Sequence, residues 1–212
     1  MRLRRLGVIA TTLGLAATAA VAAAPAATAD VGTKSLAEVL LSDKDTFDTN
    51  WYDYDVVTQA VLAVLEAKPT SPVGLLTDGT VPLTAFIPND RAFQVLAYDL
   101  TKKWPSTEEK AFNAIVAAAG VDLVEQVLLY HVVPGPAITK QAALKANGAT
   151  LTTAEGGSIG VRVWSPQLGI VELRDQDRDD VNPFLNPRAL DINAGNKQIA
   201  HGIVFVLRPK NL

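Results

Sequence analysis

The chain has 212 residues, 22 of them acidic against 19 basic, and no cysteine. The missing thiols exclude disulfides, thiol catalysis and cysteine-ligated metals. An acidic balance without a Lys/Arg run argues against binding to a phosphate backbone, which depends on clustered cations.

The amino-terminal stretch reads as an export signal. Arg2, Arg4 and Arg5 form a basic head, residues 6–24 are apolar and Ala-rich, and Ala27-Thr28-Ala29 supplies a small-x-small cleavage site. This predicts a signal peptide over residues 1–29, cut before Asp30, with residues 30–212 as a single domain and its packed part over 34–210. The competing reading is a retained anchor, because the apolar run is nearly long enough to span a bilayer. Its weak hydrophobicity and the Ala-x-Ala site favour cleavage. Arg4-Arg5 has the look of twin-arginine export, but its flanking residues are poor. Cleavage removes three basic residues, so the processed chain is more acidic still. A chain of this length can bury about 70% of its unfolded surface and needs no covalent staple.

Ser35 to Leu41 predicts a short helix with Leu36, Val39 and Leu40 on one side. Val57, Ala60, Val61, Val64 and Leu65 share a helical face, with Asp53 or Asp55 suited to the N-terminal end. Trp51, Tyr52 and Tyr54 are expected to lie as a lid over the core with their polar atoms outward. Pro69, Pro72 and Gly74 break the helix, and Asp78-Gly79 turns the chain into a strand over residues 83–87. Pro88 ends that strand. Asn89 or Asp90 caps the next helix, whose stripe is Phe93, Leu96, Ala97 and Leu100. Ser106 and Glu109 read as a capping box opening a helix that stops at Gly120. Asp122 and Glu125 open another, and Val132-Val133 begins a strand that Pro134-Gly135 turns. A short helix after Thr139 closes on Gly148. Residues 149–153 and 159–164 bracket a Gly-rich turn as a hairpin. Residues 170–174, 189–192 and 198–207 are further strand candidates, with a polar loop before residue 189.

Three segments resemble the fasciclin domain (FAS1) family. Residues 83–93 are similar to its first signature: an apolar strand, Pro, Asn/Asp, two residues and Phe. Residues 128–135, LLYHVVPG, are similar to its central Tyr-His motif, with Tyr130 and His131 as the pair. Asp191-Ile192 and Gly202-Ile203-Val204 are similar to its second signature. His201 stands where that pattern prefers Asn, and Phe205 where it often has His. The resemblance covers most of the chain after residue 30, with residues 155–188 longer and less matched. It implies an α+β, FAS1-like fold, a β-sandwich or wedge of short strands packed against a helical layer from the N-terminal half. The segregation of helices early and strands late points to the same class. The chain is thereby identified as a secreted bacterial single-domain member.

Two motifs point towards chemistry. Gly156-Gly157-Ser158-Ile159-Gly160 satisfies G-x-S-x-G, with Asp177 and His201 following in triad order. A nucleophile elbow requires a helix after the serine, however, and the residues after Ser158 alternate as a strand. Asp175, Asp177 and Asp179 have the opening rhythm of a calcium loop. Asp180 stands where the turn-making Gly belongs, and Asn186 where the bidentate carboxylate belongs. A solvated acidic loop is the default there. No catalytic residue, metal ligand or cofactor is assigned.

The expected function is therefore a secreted, non-enzymatic interaction or adhesion module, extracellular or associated with the cell envelope. Its partner would be a protein or a cell-surface or matrix component, with no nucleic acid and no membrane span after cleavage. By motif matching, Asp191, Ile192, Tyr130 and His131 are the candidate partner-binding residues. The simpler reading has Tyr130 and His131 bracing the helix exit and Asp191 capping a turn. A small-ligand or lipid carrier with an apolar cleft is the alternative, and a secreted hydrolase a third.

Overall fold

A computed structural model describes residues 31–42 and 46–212. The expected signal peptide at 1–29 lies outside them. The elements in order are α1 (Leu36–Leu40), α2 (Asp55–Ala67), a 3-10 turn (Pro72–Thr77), β1 (Leu83–Pro88), α3 (Asp90–Thr101) and α4 (Glu108–Tyr130). They continue with β2 (Val132–Pro134), α5 (Lys140–Ala143), β3 (Thr150–Thr152), β4 (Ser158–Ser165), β5 (Ile170–Arg174) and β6 (Gln198–Ile203).

Strand β1 is the axis of the molecule. It is the middle strand of a sheet ordered β2-β1-β6, antiparallel to β2 and parallel to β6, and all six of its residues are buried. Alternate side chains of a strand leave on opposite faces, and here the two faces meet different neighbours. Leu83, Ala85 and Ile87, with Val132 and Ala200, pack into the helical core formed by α2, α3 and α4. Phe86, with Val133 and Ile203, packs into a second core with Ile159, Val161, Val171 and Leu173. Those last four residues belong to the antiparallel sheet β3-β4-β5. The result is three layers: helices, the β1 sheet, and the second sheet. This is the mixed α+β class expected, with one refinement. The early strands β1 and β2 do not merely join the late half but lie between the two cores.

Capping follows local chemistry. Ser35 and Glu38 close a reciprocal capping box on α1, and Asn89, not Asp90, caps α3 by accepting from the Ala92 N–H at 3.0 Å. The box expected at Ser106 and Glu109 does not form. Thr107 accepts from the Lys110 N–H at 3.3 Å instead, and Glu108 becomes the first helical residue, fully buried. At Gly120 the backbone leaves helical angles (φ 73°, ψ 163°), which only glycine adopts freely. The expected stop is thus a kink, after which the chain resumes as a helix at once. Of the described helices, α4 alone has the length and apolarity to cross a membrane, and this kink interrupts it.

Other expectations need correction. Residues 189–192 form only a single bridge, Ile192 to Ala200, and the last strand ends at Ile203 because the Val204 N–H turns aside to Phe184 O. In the aromatic lid, Tyr52 is exposed but Tyr54 points its hydroxyl inward. A Cβ on Gly202 would collide with the Tyr54 hydroxyl oxygen, so β6 passes this ring only because residue 202 has no side chain.

Candidate functional site

Tyr130 and His131 stand at the exit of α4 because the apolar rows of that helix end there. The Tyr130 ring is fully buried, and its hydroxyl donates to Ser158 O at 2.6 Å, tying α4 to the start of β4. Gly157 lies against the ring, where a Cβ would sit 2.9 Å from it. Burial pushes the phenol well above its ordinary range. The His131 Nδ1 faces Val127 O at 2.7 Å, and its Nε2 accepts from the Leu207 N–H at 2.9 Å. Those partners assign the neutral tautomer with the proton on Nδ1. Burial lowers its pKa to about 4, against a smaller opposing effect of the Val127 carbonyl. The His131 carbonyl accepts from the Phe86 N–H, so one residue joins α4, β1 and the C-terminal segment. Both side chains are turned into the fold, in agreement with the bracing reading.

Asp191 and Ile192 lie on the other side, in a turn that reaches the surface. Asp191 and Asn193 both have left-handed φ (54° and 67°), and Ile192 between them exchanges two backbone hydrogen bonds with Ala200 at 2.9 Å. Such angles are costly for residues other than glycine, and here several bonds hold them. The Asp191 carboxylate accepts from the Lys140 N–H at 2.6 Å, at the start of α5. The Asp191 N–H donates to His201 Nδ1 at 3.2 Å, and His201 Nε2 faces Ile138 O at 2.7 Å. His201 is therefore a neutral link between two backbone groups, its pKa lowered chiefly by burial. Asn193 donates from Nδ2 to Lys34 O at 2.8 Å and to Gln198 O at 2.9 Å. The turn capping expected of Asp191 is thus present, and the turn it holds is rigid.

Ile192 is half-buried and forms one wall of a surface groove of about 310 Å³. Val39, Leu40 and Ser42 line it from the α1 side, and Tyr54, Asp55 and Thr58 from α2. The interior is closed by comparison. The two apolar cavities among the helices and beneath the β1 sheet measure about 30 Å³ each, space for one water, whereas ligand pockets begin at roughly 300 Å³. Sequence reasoning found Ile192 but missed its neighbours in the groove. Val39 and Leu40 carry only the signal of an amphipathic helix, and nothing in their spacing says that one flank stays open.

The two chemical motifs resolve structurally. Ser158 is the first residue of β4 and is followed by seven more strand residues, so the strand-to-helix elbow of a hydrolase is not formed. The glycines before it make the turn of the β3-β4 hairpin, with Gly156 at φ 102°. In the acidic loop the cation is the chain's own. The Arg208 guanidinium, almost fully buried, reaches Asp180 at 2.5 Å, Asp99 at 2.8 Å and Asp177 at 3.5 Å. The Arg208 N–H donates to the Asp175 carboxylate at 2.9 Å. Burial holds Asp175 up at about 6. The arginine that enters the loop comes from beyond β6, further along the chain.

Comparison with known proteins follows the same lines. A search of curated proteins finds no match. Among solved structures, fifteen chains match. One is a FAS1 domain pair from the insect cell adhesion molecule fasciclin I, 17% identical with a TM-score of 0.54. The match covers 82% of this chain and 50% of that one, so this chain spans half the length of its solved relative. At that identity the likeness establishes the fold. The model of the fasciclin domain matches residues 57–207, from the first turn of α2 to the segment that His131 holds. With the greater part of its length so matched, and β1, the Tyr-His brace and the Asp191 turn all in place, the chain belongs to the fasciclin domain family.

Proposed function

We propose that this chain is an exported interaction module that binds a protein or a cell-surface or matrix component through the Asp191–Ile192 turn and the groove beside it. The observation that carries this reading is an apolar side chain, Ile192, held by a rigid turn at the rim of an open groove. Rigid scaffolds present binding residues in this way, because little ordering entropy remains to be lost on association. Tyr130 and His131 contribute indirectly, by fixing the sheet from which the turn projects. The finer placement also belongs to this proposal: a secreted bacterial single-domain protein, its signal cut before Asp30 and residues 30–212 forming the domain. The basic, apolar and small-residue order of the leader supports it. The solved relative comes from a cell adhesion molecule, and an adhesive role is the corresponding expectation here.

The test is attachment of cells or extracellular matrix to immobilised protein. Ile192→Asp places a charge on the groove wall and abolishes attachment, while Asp191→Asn, which keeps an oxygen for the Lys140 N–H, retains most of it. Undiminished attachment by a folded Ile192→Asp variant rules out this surface.

A further inference from the structure

Three helices each begin on an acid: α2 on Asp55, α3 on Asp90 and α4 on Glu108. Their ends converge. Carboxylate oxygens of Asp53, Asp90 and Glu108 lie within 4.8 Å of one another, and so do those of Asp48, Asp55 and Glu108. Asp90 is fully buried and caps α2 from outside it, accepting from the Asp55 N–H at 3.2 Å and the Val56 N–H at 2.8 Å. Glu108 has no such employment. It is 0% exposed, neither carboxylate oxygen makes a hydrogen bond of good geometry to a described residue, and burial pushes its pKa up to about 7 against a smaller opposing effect of the Asp48 N–H. An Asp53 oxygen is buried without a partner beside it. Among the described residues, no lysine, arginine or histidine forms an ion pair with Asp53, Asp90 or Glu108.

A carboxylate buried without a partner costs several kcal/mol. The converging helix ends supply roughly half a positive charge each, which favours charge at Glu108 but gives neither of its oxygens a hydrogen-bond partner among the described residues. We propose that Asp53, Asp90 and Glu108, flanked by Asp48 and Asp55, bind a hard divalent cation of the size of calcium. The donor set is all oxygen, with no imidazole or thiolate to draw a softer metal. Calcium takes oxygens at roughly 2.4 Å in a flexible shell, so oxygens that all lie within 4.8 Å of one another can share one ion. Magnesium has a tighter shell and keeps its waters, and fits less well. Glu108 belongs to both groups and is the central ligand. The ion would clamp the starts of α2, α3 and α4 together. Because Asp55 also lines the groove beside Ile192, the ion would stiffen one wall of that groove. The site is distinct from the acidic loop at residues 175–180, whose carboxylates Arg208 already engages.

The experiment is a titration of EDTA-treated full-length protein with calcium chloride by calorimetry at pH 7.5, paired with thermal unfolding. The expected result is saturable heat at or below millimolar calcium and a Tm raised by several degrees, with a smaller rise in magnesium. Glu108→Gln loses the calcium heat and the calcium-dependent rise in Tm, whereas Asp179→Asn, in the other acidic loop, keeps both. Terbium in place of calcium gives a readout that needs no variant: emission sensitised through Trp51 or Tyr54 and displaced by calcium. Absence of heat and of any Tm change at 10 mM calcium, about tenfold above the weakest extracellular calcium modules, overturns the proposal. So does calcium heat undiminished in Glu108→Gln, or terbium emission that calcium leaves unchanged.

Discussion

Buried neutral, His131 makes fold stability depend on acid in a way that one substitution isolates. Its pKa in the folded protein is about 4, against 6.5 in an unfolded chain. Well above pH 7 the ring is neutral in both states and contributes no pH dependence. As pH falls below 6.5 the unfolded chain takes up a proton that the folded one refuses, so the folded state loses ground until the folded pKa is reached. At 1.36 kcal/mol for each pH unit, the interval from 6.5 to about 4 corresponds to roughly 3 kcal/mol. Other groups titrate over the same range, and the difference between wild type and His131→Gln removes them. At pH 7 the variant is less stable by about 2 kcal/mol, because the Leu207 N–H and the Val127 carbonyl lose a well-placed partner. By pH 4 the gap closes or changes sign, since only the wild type carries the acid penalty. Urea unfolding at half-unit intervals measures the gap, and the ring-proton shift of His131 in NMR gives the pKa directly. A gap that stays constant from pH 7 to 4, or a ring titrating near 6.5, refutes the reasoning.

Arg208→Met leaves Asp177, itself buried, without its counter-charge, and is expected to cost about 3–5 kcal/mol of stability, read by urea unfolding. Phe86→Ala empties the centre of the second core at a cost of about 3–5 kcal/mol, read by thermal unfolding. Gly202→Ala forces a Cβ against the Tyr54 hydroxyl and Ala189, costing roughly 1–3 kcal/mol, and adding Tyr54→Phe recovers part of that loss. Asn193→Ala removes the two Nδ2 bonds to Lys34 O and Gln198 O and lowers stability by about 1–3 kcal/mol, with no change in secondary structure by circular dichroism.

Much of this fold was legible because local chemistry and tertiary structure agree. The stripe Phe93, Leu96, Ala97 is buried as its spacing required, and the Gly-rich turn between β3 and β4 stands where the alternation breaks. Ser106 misled because Thr107 offers the same hydroxyl one residue later, and burial of Glu108 decided between them. Strand character at 189–192 could not be judged from composition, since Asp191 and Asn193 adopt left-handed angles that only the bonds to Lys140, Lys34 and Gln198 support. At the candidate site, Asp191 and Ile192 were visible as a motif, but the groove was not. Its walls are residues from α1, α2 and the late turn, brought together across some 150 positions of chain. The acids at the three helix starts were each explicable alone as helix-end residues. Their meeting is a property of packing and leaves no mark in the one-dimensional order.

Strand β1 assigns its residues to two interiors by turns, Phe86 to one and its immediate neighbours Ala85 and Ile87 to the other. Adding or deleting a single residue between Leu83 and Ile87 would send every later side chain to the wrong interior, bringing a benzyl group where a methyl belongs. Length changes in the exposed turn at residues 166–168 carry no such inversion. Relatives of this chain should accordingly tolerate insertions in their loops while keeping the number of residues in this strand fixed.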